Sequence, residues 1–189
     1  MTRRRLRKSP KPQQPGSKPG FFLESKMTRL NITPLELTEL IRFAKEDKMF
    51  GVALKGALSQ IRHKLFLKGQ KYTVKENPSS NYGEPDFVIN NKILMEHKRA
   101  RNEKYSDGSF KLEIQKSRKS GSCKSNRMYS ADFCDIVAVD VSEHTNINND
   151  YRYIETRHLE RDIRFRDKLK VHQKESKFWR KSLSEILGE

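Results

Sequence analysis

The chain has 189 residues, 34% of them apolar, with 40 Lys and Arg against 24 Asp and Glu, a net charge of +16 and a pI near 9.9. Length and composition fit one domain with appended tails and a modest core over the middle of the chain. So one-sided a charge makes nucleic acid the expected partner, and no stretch supplies the ~20 apolar residues of a membrane span.

The first 30 residues are expected to form a disordered basic arm. Over "MTRRRLRKSPKPQQPGSKPG" there is no acid, Pro and Gly interrupt any helix, and little apolar surface is available to offset ordering. Contact with phosphates and simple solubilisation are both open for it. Order is expected to begin at "TPLE", with Thr33 as N-cap, Pro34 at the first helical position and Glu36 reaching back. A second helix follows in "FGVALKGALSQIRHKLFLKG", where Leu54, Leu58, Ile61 and Leu65 form the expected apolar stripe and Gly69 the stop.

The period then shortens. "KYTVKE", "DFVIN" and "KILMEHK" read as strands, the last two joined by a turn at Asn90–Asn91. "SFKLEIQ" alternates as a strand, "CDIVAVDV" reads as one buried on both faces, and "YRYIET" as an edge strand. The charged stretch from His158 to Lys170 is expected to be helical, with Glu160–Arg164 and Asp162–Arg166 pairs. A final helix would carry Trp179, Leu183, Ile186 and Leu187 on one face. Residues 158–189 are thus expected to be C-terminal basic helices. The fold class is α/β (α+β), a central mixed four- to five-stranded sheet flanked by helices.

Two cysteines without CxxC spacing and five scattered histidines argue against structural zinc. The N-terminus offers no apolar signal region. The expected setting is cytoplasmic: nucleoid-associated in a bacterium or phage, nuclear in a eukaryote.

The chemistry concentrates in "EPDFVINNKILMEHKR", Glu84 to Arg99. Glu96 and Lys98 are two apart on a strand and so share a face, and a tight turn brings Asp86 alongside them. Two carboxylates forced together repel unless a cation lies between them, and oxygen ligands suit Mg²⁺, with Mn²⁺ able to substitute. Such a site fits phosphodiester hydrolysis, with Lys98 orienting or deprotonating a water or stabilising developing charge. The bland alternative is a solvated hairpin with an ordinary ion pair. His97 faces away from Glu96 and Lys98 and reads as a packed residue. Tyr129 reads as a structural anchor, Glu113 as a possible extra acid, and Asp132 and Asp135 as flanks of a buried strand. Basic residues from Arg99 to Lys104, including Arg101, from Lys116 to Lys124 and from Arg157 to Lys174 would rim a DNA cleft, the last stretch being open also to a salt-bridged solvent face.

Pro85-Asp86, nine intervening residues and Glu96-His97-Lys98 resemble the motif of the PD-(D/E)XK nuclease superfamily. "KGALSQIRHKLFLKGQKYTV" looks like the helix that opens that fold, and "GSFKLEIQKSR" and "YSADFCDIVAVDV" look like later strands of its intron-encoded homing subgroup. The similarity spans roughly Lys55 to Leu159. It implies a restriction-endonuclease-like core over residues 31–157, metal held by Asp86 and Glu96, and catalysis by these two with Lys98. The family usually carries Glu on its first helix where this chain has Gln60, which the resemblance places in the site as a weaker water-positioning group. Gln115 and Arg118 fall where relatives contact the DNA backbone, beside Lys116. Three readings follow: an Mg²⁺-dependent endonuclease of restriction or homing type, acting as a homodimer on double-stranded DNA; a junction-resolvase-like, structure-selective nuclease; and a non-catalytic DNA-binding protein on a nuclease-like fold.

Overall fold

The computed structural model describes residues 34–77, 84–116 and 127–189. The basic arm, Thr33 and Arg118 lie outside the described residues. The chain divides into two units, residues 1–42 and 43–189, and the division falls within helix α1 (Pro34–Glu46).

The larger unit is α+β. Helix α2 (Lys48–Gly69) begins at Asp47, whose carboxylate accepts from the Phe50 N–H and so satisfies one of the open donors of the first turn. Strands β1 (Val74–Glu76), β2 (Phe87–Ile89), β3 (Ile93–Arg99), β6 (Ile136–Asp140) and β7 (Tyr151–Glu155) form a mixed sheet in the order β1-β2-β3-β6-β7. β2 and β3 are a hairpin, in which Asn90 and Asn91 take positive φ at 50° and 57°. Asparagine tolerates that left-handed conformation better than most residues, which is why "NN" makes the turn. β3 runs parallel to β6, with Glu96 beside Val137 and Lys98 beside Val139.

The route from β3 to β6 is occupied by a second sheet. β4 (Arg101–Lys104), β5 (Phe110–Glu113) and β8 (His172–Lys174) pair antiparallel in the order β4-β5-β8. Two apolar clusters result. Val137 and Val139 point to one with Phe110, Leu112, Leu169 and Trp179; Ile136 and Ala138 point to the other with Leu67, Phe87, Met95 and Leu183. β6 is therefore covered on both faces, as its unbroken apolar run requires. The second sheet covers one side, and α2 with the short helix α4 (Leu183–Leu187) covers the other.

Three expectations need correction. The α2 stripe of Leu58, Ile61 and Leu65 faces solvent, and the buried positions are Ser59, His63 and Leu67. Polar partners on the sheet accept that face of the helix, so hydrophobicity alone misplaced it.

The stretch from 158 to 170 is not a helix. After a single 3₁₀ turn (Thr156–His158), Asp162 turns its carboxylate onto the N–H groups of Arg164 and Phe165, closing a local loop in place of a helical turn. The expected pairs do not form. Glu160 bonds Lys170, and β8 follows as the third strand of the small sheet.

Trp179 lies outside the last helix and packs edge-on against Phe110, with ring centroids 5.4 Å apart. α4 itself is one capped turn. Ser182 and Glu185 make a reciprocal capping box, and Gly188 closes it in the left-handed conformation. Residues 158–189 thus belong to the same unit as the strands they join. Between β6 and β7, α3 (Ser142–Thr145) is one further turn.

Candidate active site

The hairpin register explains the convergence of the acids. Phe87 pairs with Met95, so the next step outward puts Asp86 opposite Glu96. Directly opposed residues of an antiparallel pair project from one face. The Asp86 Oδ2 accepts the His97 N–H at 2.9 Å, which fixes the carboxylate against β3. Gln60, from α2, donates its side-chain amide to Asp86. Asp86, Glu96, Lys98 and Gln60 are therefore gathered into one cluster.

Glu96 is 2% exposed. Its Oε1 accepts from Lys98 Nζ at 2.5 Å and from the Tyr129 hydroxyl at 2.8 Å. Its Oε2 is buried and has no hydrogen-bond partner among the described residues. An orphaned carboxylate oxygen is costly, because its desolvation is not repaid. The electrostatics agree. Burial and the neighbouring Glu96 push Asp86 up to about 6, against the opposing His97 N–H, Lys98 and Gln60. For Lys98, burial works against the charge, but Glu96, Tyr129 and Asp86 outweigh it and hold the ammonium above the ordinary lysine range. Burial, with help from Glu96, likewise raises the Tyr129 hydroxyl. Lys98 is therefore a cation here, suited to stabilising negative charge and unsuited to removing a proton.

No group of three or more His, Cys, Asp or Glu side chains placed to hold a metal occurs among the described residues. The donor set is narrower: two carboxylates and an amide. It is nonetheless all-oxygen, one of its oxygens is orphaned, and its second acid is raised by burial and by repulsion from the first. All three features fit a divalent cation that keeps several waters.

Behind this face lies a second polar cluster. Tyr153, His63, His97, Ser59 and Asp140 follow one another at 3.0, 3.1, 2.9 and 2.5 Å, linking α2 to β3, β6 and β7. Burial keeps both histidines below the usual imidazole range, His97 at about 3. His97 thus points away from Glu96 and Lys98, as the alternation of the strand requires.

Of the residues expected to meet nucleic acid, Gln115, Lys116, Arg99 and Arg101 line one open cavity of about 640 Å³. Arg127, which the sequence reading passed over, lies there too and donates to the Gln115 carbonyl oxygen. Arg99 is paired with Glu143 at 3.1 Å and Arg101 with Glu113. Glu113 consequently serves Arg101 and does not join the two acids. Asp135 accepts the Leu94 N–H at 2.8 Å, the flanking role expected of it. Tyr129 is more than an anchor, since its hydroxyl completes the shell of Glu96 and its ring lies 5.3 Å from Lys98 Nζ. Only the tertiary fold brings it there. No helix among the described residues is long and apolar enough to cross a membrane.

The chain matches no family model, no curated protein and no solved structure in the three comparisons. Its function has to be argued from the cluster itself.

Proposed function

We propose that this protein is a Mg²⁺-dependent endodeoxyribonuclease of the PD-(D/E)XK type that hydrolyses phosphodiester bonds in double-stranded DNA. One observation carries the reading: a buried Glu96, one of whose oxygens has no partner among the described residues, stands opposite Asp86 and in contact with the Lys98 ammonium. Asp86 and Glu96 would hold the ion, and Mn²⁺ could replace it. When bound, it would supply charge neutralisation at the scissile phosphate and a more acidic water. Lys98 stabilises the negative charge that builds on the phosphate, and Tyr129 holds Glu96 in place. Gln60 steadies Asp86, a lesser contribution than a third carboxylate would make. Arg99, Arg101, Lys116 and Arg127 line the cavity that would take the backbone, setting affinity and register without reading sequence. A cut through both strands calls for two such sites, hence a homodimer.

The test is incubation with plasmid DNA in Mg²⁺ and in EDTA, beside Asp86→Ala and Lys98→Ala. Metal-dependent strand scission that both variants lose, with DNA binding retained, is the expected result. Full scission by Asp86→Ala would overturn the assignment.

A further inference from the structure

A second cavity of about 410 Å³ lies next to the first and shares Arg101, Glu113, Gln115 and Arg127 with it, Glu113 being paired with Arg101. From this cavity we infer a binding site for a single unstacked nucleobase, formed by Phe165 and Arg127 and closed by the loop that leads into β8. The inference rests on the nucleic-acid reading above and deepens it.

The cavity has the two kinds of surface a base requires. Met128, Phe165 and Val171 supply apolar wall, and Gln115, Arg127 and His172 supply hydrogen-bonding edges. Arg127 is held at the cavity by the bond its Nη2 donates to the Gln115 side-chain carbonyl oxygen. A ring nitrogen or carbonyl oxygen of a base would accept from the remaining donors of the guanidinium. Phe165 remains 40% exposed at the cavity, a free aromatic face on which a base can stack.

The loop from Arg161 to Leu169 is built for the same partner. Its acids are already engaged: Asp162 caps the N–H groups of Arg164 and Phe165, and Asp167 pairs with Lys168 at 3.2 Å. Arg161, Arg164 and Arg166 have no acidic partner among the described residues, and they flank Ile163, which is 92% exposed. The loop is also firmly held. Arg161 bridges to Leu169, the Asp162 N–H donates to Lys168, and the Leu169 N–H donates to the carbonyl of Tyr129. Tyr129 in turn holds Glu96 through its hydroxyl. Unpaired guanidiniums around an exposed apolar tip suit a duplex that is being unstacked, with the cations on phosphates and the side chain wedged at the step. The backbone tie to Tyr129 connects that event to the cluster where the bond would be cut.

The experiment is binding of the full chain, in EDTA so that no cutting intervenes, to two oligonucleotide duplexes of one sequence. One is perfect, and the other carries a single bulged 2-aminopurine. The bulged duplex should bind about tenfold more tightly, with its fluorescence quenched by stacking. Phe165→Ala should bring the two affinities together and abolish the quenching, while affinity for the perfect duplex and the thermal melt stay unchanged. Arg127→Met should reduce the preference too, and should also weaken binding to both duplexes, because Arg127 lines the backbone cavity as well. Equal affinity of the wild-type chain for both duplexes would overturn the pocket and leave the nuclease reading standing. Persistence of preference and quenching in Phe165→Ala would overturn it as well. Failure to bind either duplex would remove both.

Discussion

Asp86 and Glu96 face each other across the β2–β3 hairpin, and their mutual repulsion adds to burial in holding a proton on Asp86 up to about pH 6. An acid whose folded pKa is raised binds its proton more tightly in the folded chain than in the unfolded one. Its contribution to stability is intact below about 3.8, falls as pH rises to about 6, and is a constant penalty above that. Asp86→Asn removes the ionisation and keeps an acceptor for the His97 N–H. The variant should therefore be more stable than the wild type at pH 7.5 without metal, by on the order of 2 kcal/mol, and equally stable near pH 3.5. It should also cut no DNA. Urea melts at the two pH values check the first part, and a loss of stability at pH 7.5 would contradict it.

The same repulsion predicts how metal and protons compete. Binding a divalent ion requires Asp86 ionised, so Mg²⁺ should raise the melting temperature at pH 7.5 and lose that effect as pH falls through about 6. Glu96→Gln and Asp86→Asn should each abolish the Mg²⁺-induced shift. EDTA should return the wild-type chain to its metal-free melting temperature. Differential scanning fluorimetry across pH, with and without Mg²⁺, reads all of this without any activity assay. A Mg²⁺ shift of the same size at pH 5 and pH 7.5 would count against these two ligands.

How legible was this site in the sequence? Asp86, Glu96 and Lys98 could be placed together because a period-two strand and an "NN" turn define a register, and register is local. Tyr129 could not, since its contact with Glu96 crosses from a loop more than thirty residues away. Six strands were readable for the same reason, each apolar run being paired with neighbours close in sequence or buried on both faces; β4 and β8, reading RNEK and HQK, have no apolar run to mark them. Two failures came from one cause. The Ser59–His63 face of α2 and the Asp162 loop are both settled by hydrogen bonds to particular partners, which a hydrophobic period does not register.

The buried histidines make a prediction of their own, because the proton positions follow from counting. Ser59 has one hydroxyl proton and donates it to Asp140, so Ser59 Oγ must accept from His97 Nε2. A neutral His97 then has a bare Nδ1, which accepts from His63 Nδ1–H, leaving His63 Nε2 to accept from the Tyr153 hydroxyl. Nitrogen NMR at pH 7 should show His97 as the Nε2–H tautomer and His63 as the Nδ1–H tautomer. Both pKa values are depressed, so this contribution to stability is present above about 6.5 and is lost as pH falls towards the folded values. By pH 5 His97, whose folded value is about 3, should cost roughly 2 kcal/mol, and His63 adds to the loss in the same direction. Two Nε2–H tautomers, or an imidazolium at pH 6, would break the chain.

The outward face of α2 bears on the number of subunits. Leu58, Ile61 and Leu65 follow helical spacing and are 41%, 48% and 60% exposed. An apolar stripe flanked by Lys55, Arg62, Lys64 and Lys68 is costly to leave in water and is the right kind of surface for a second helix. A symmetric pair of α2 helices would cover it, although like charges along its margins would weaken the association at low salt. Sedimentation at 0.3 M NaCl should then show a dimer, and Ile61→Glu with Leu65→Glu should give a monomer. Because both side chains are half in solvent, the fold should survive, with an unchanged circular dichroism spectrum. The monomer should still nick one strand in Mg²⁺ but should lose the ability to linearise a plasmid in a single encounter. A double variant that still sediments as a dimer would place the subunit contact on another face.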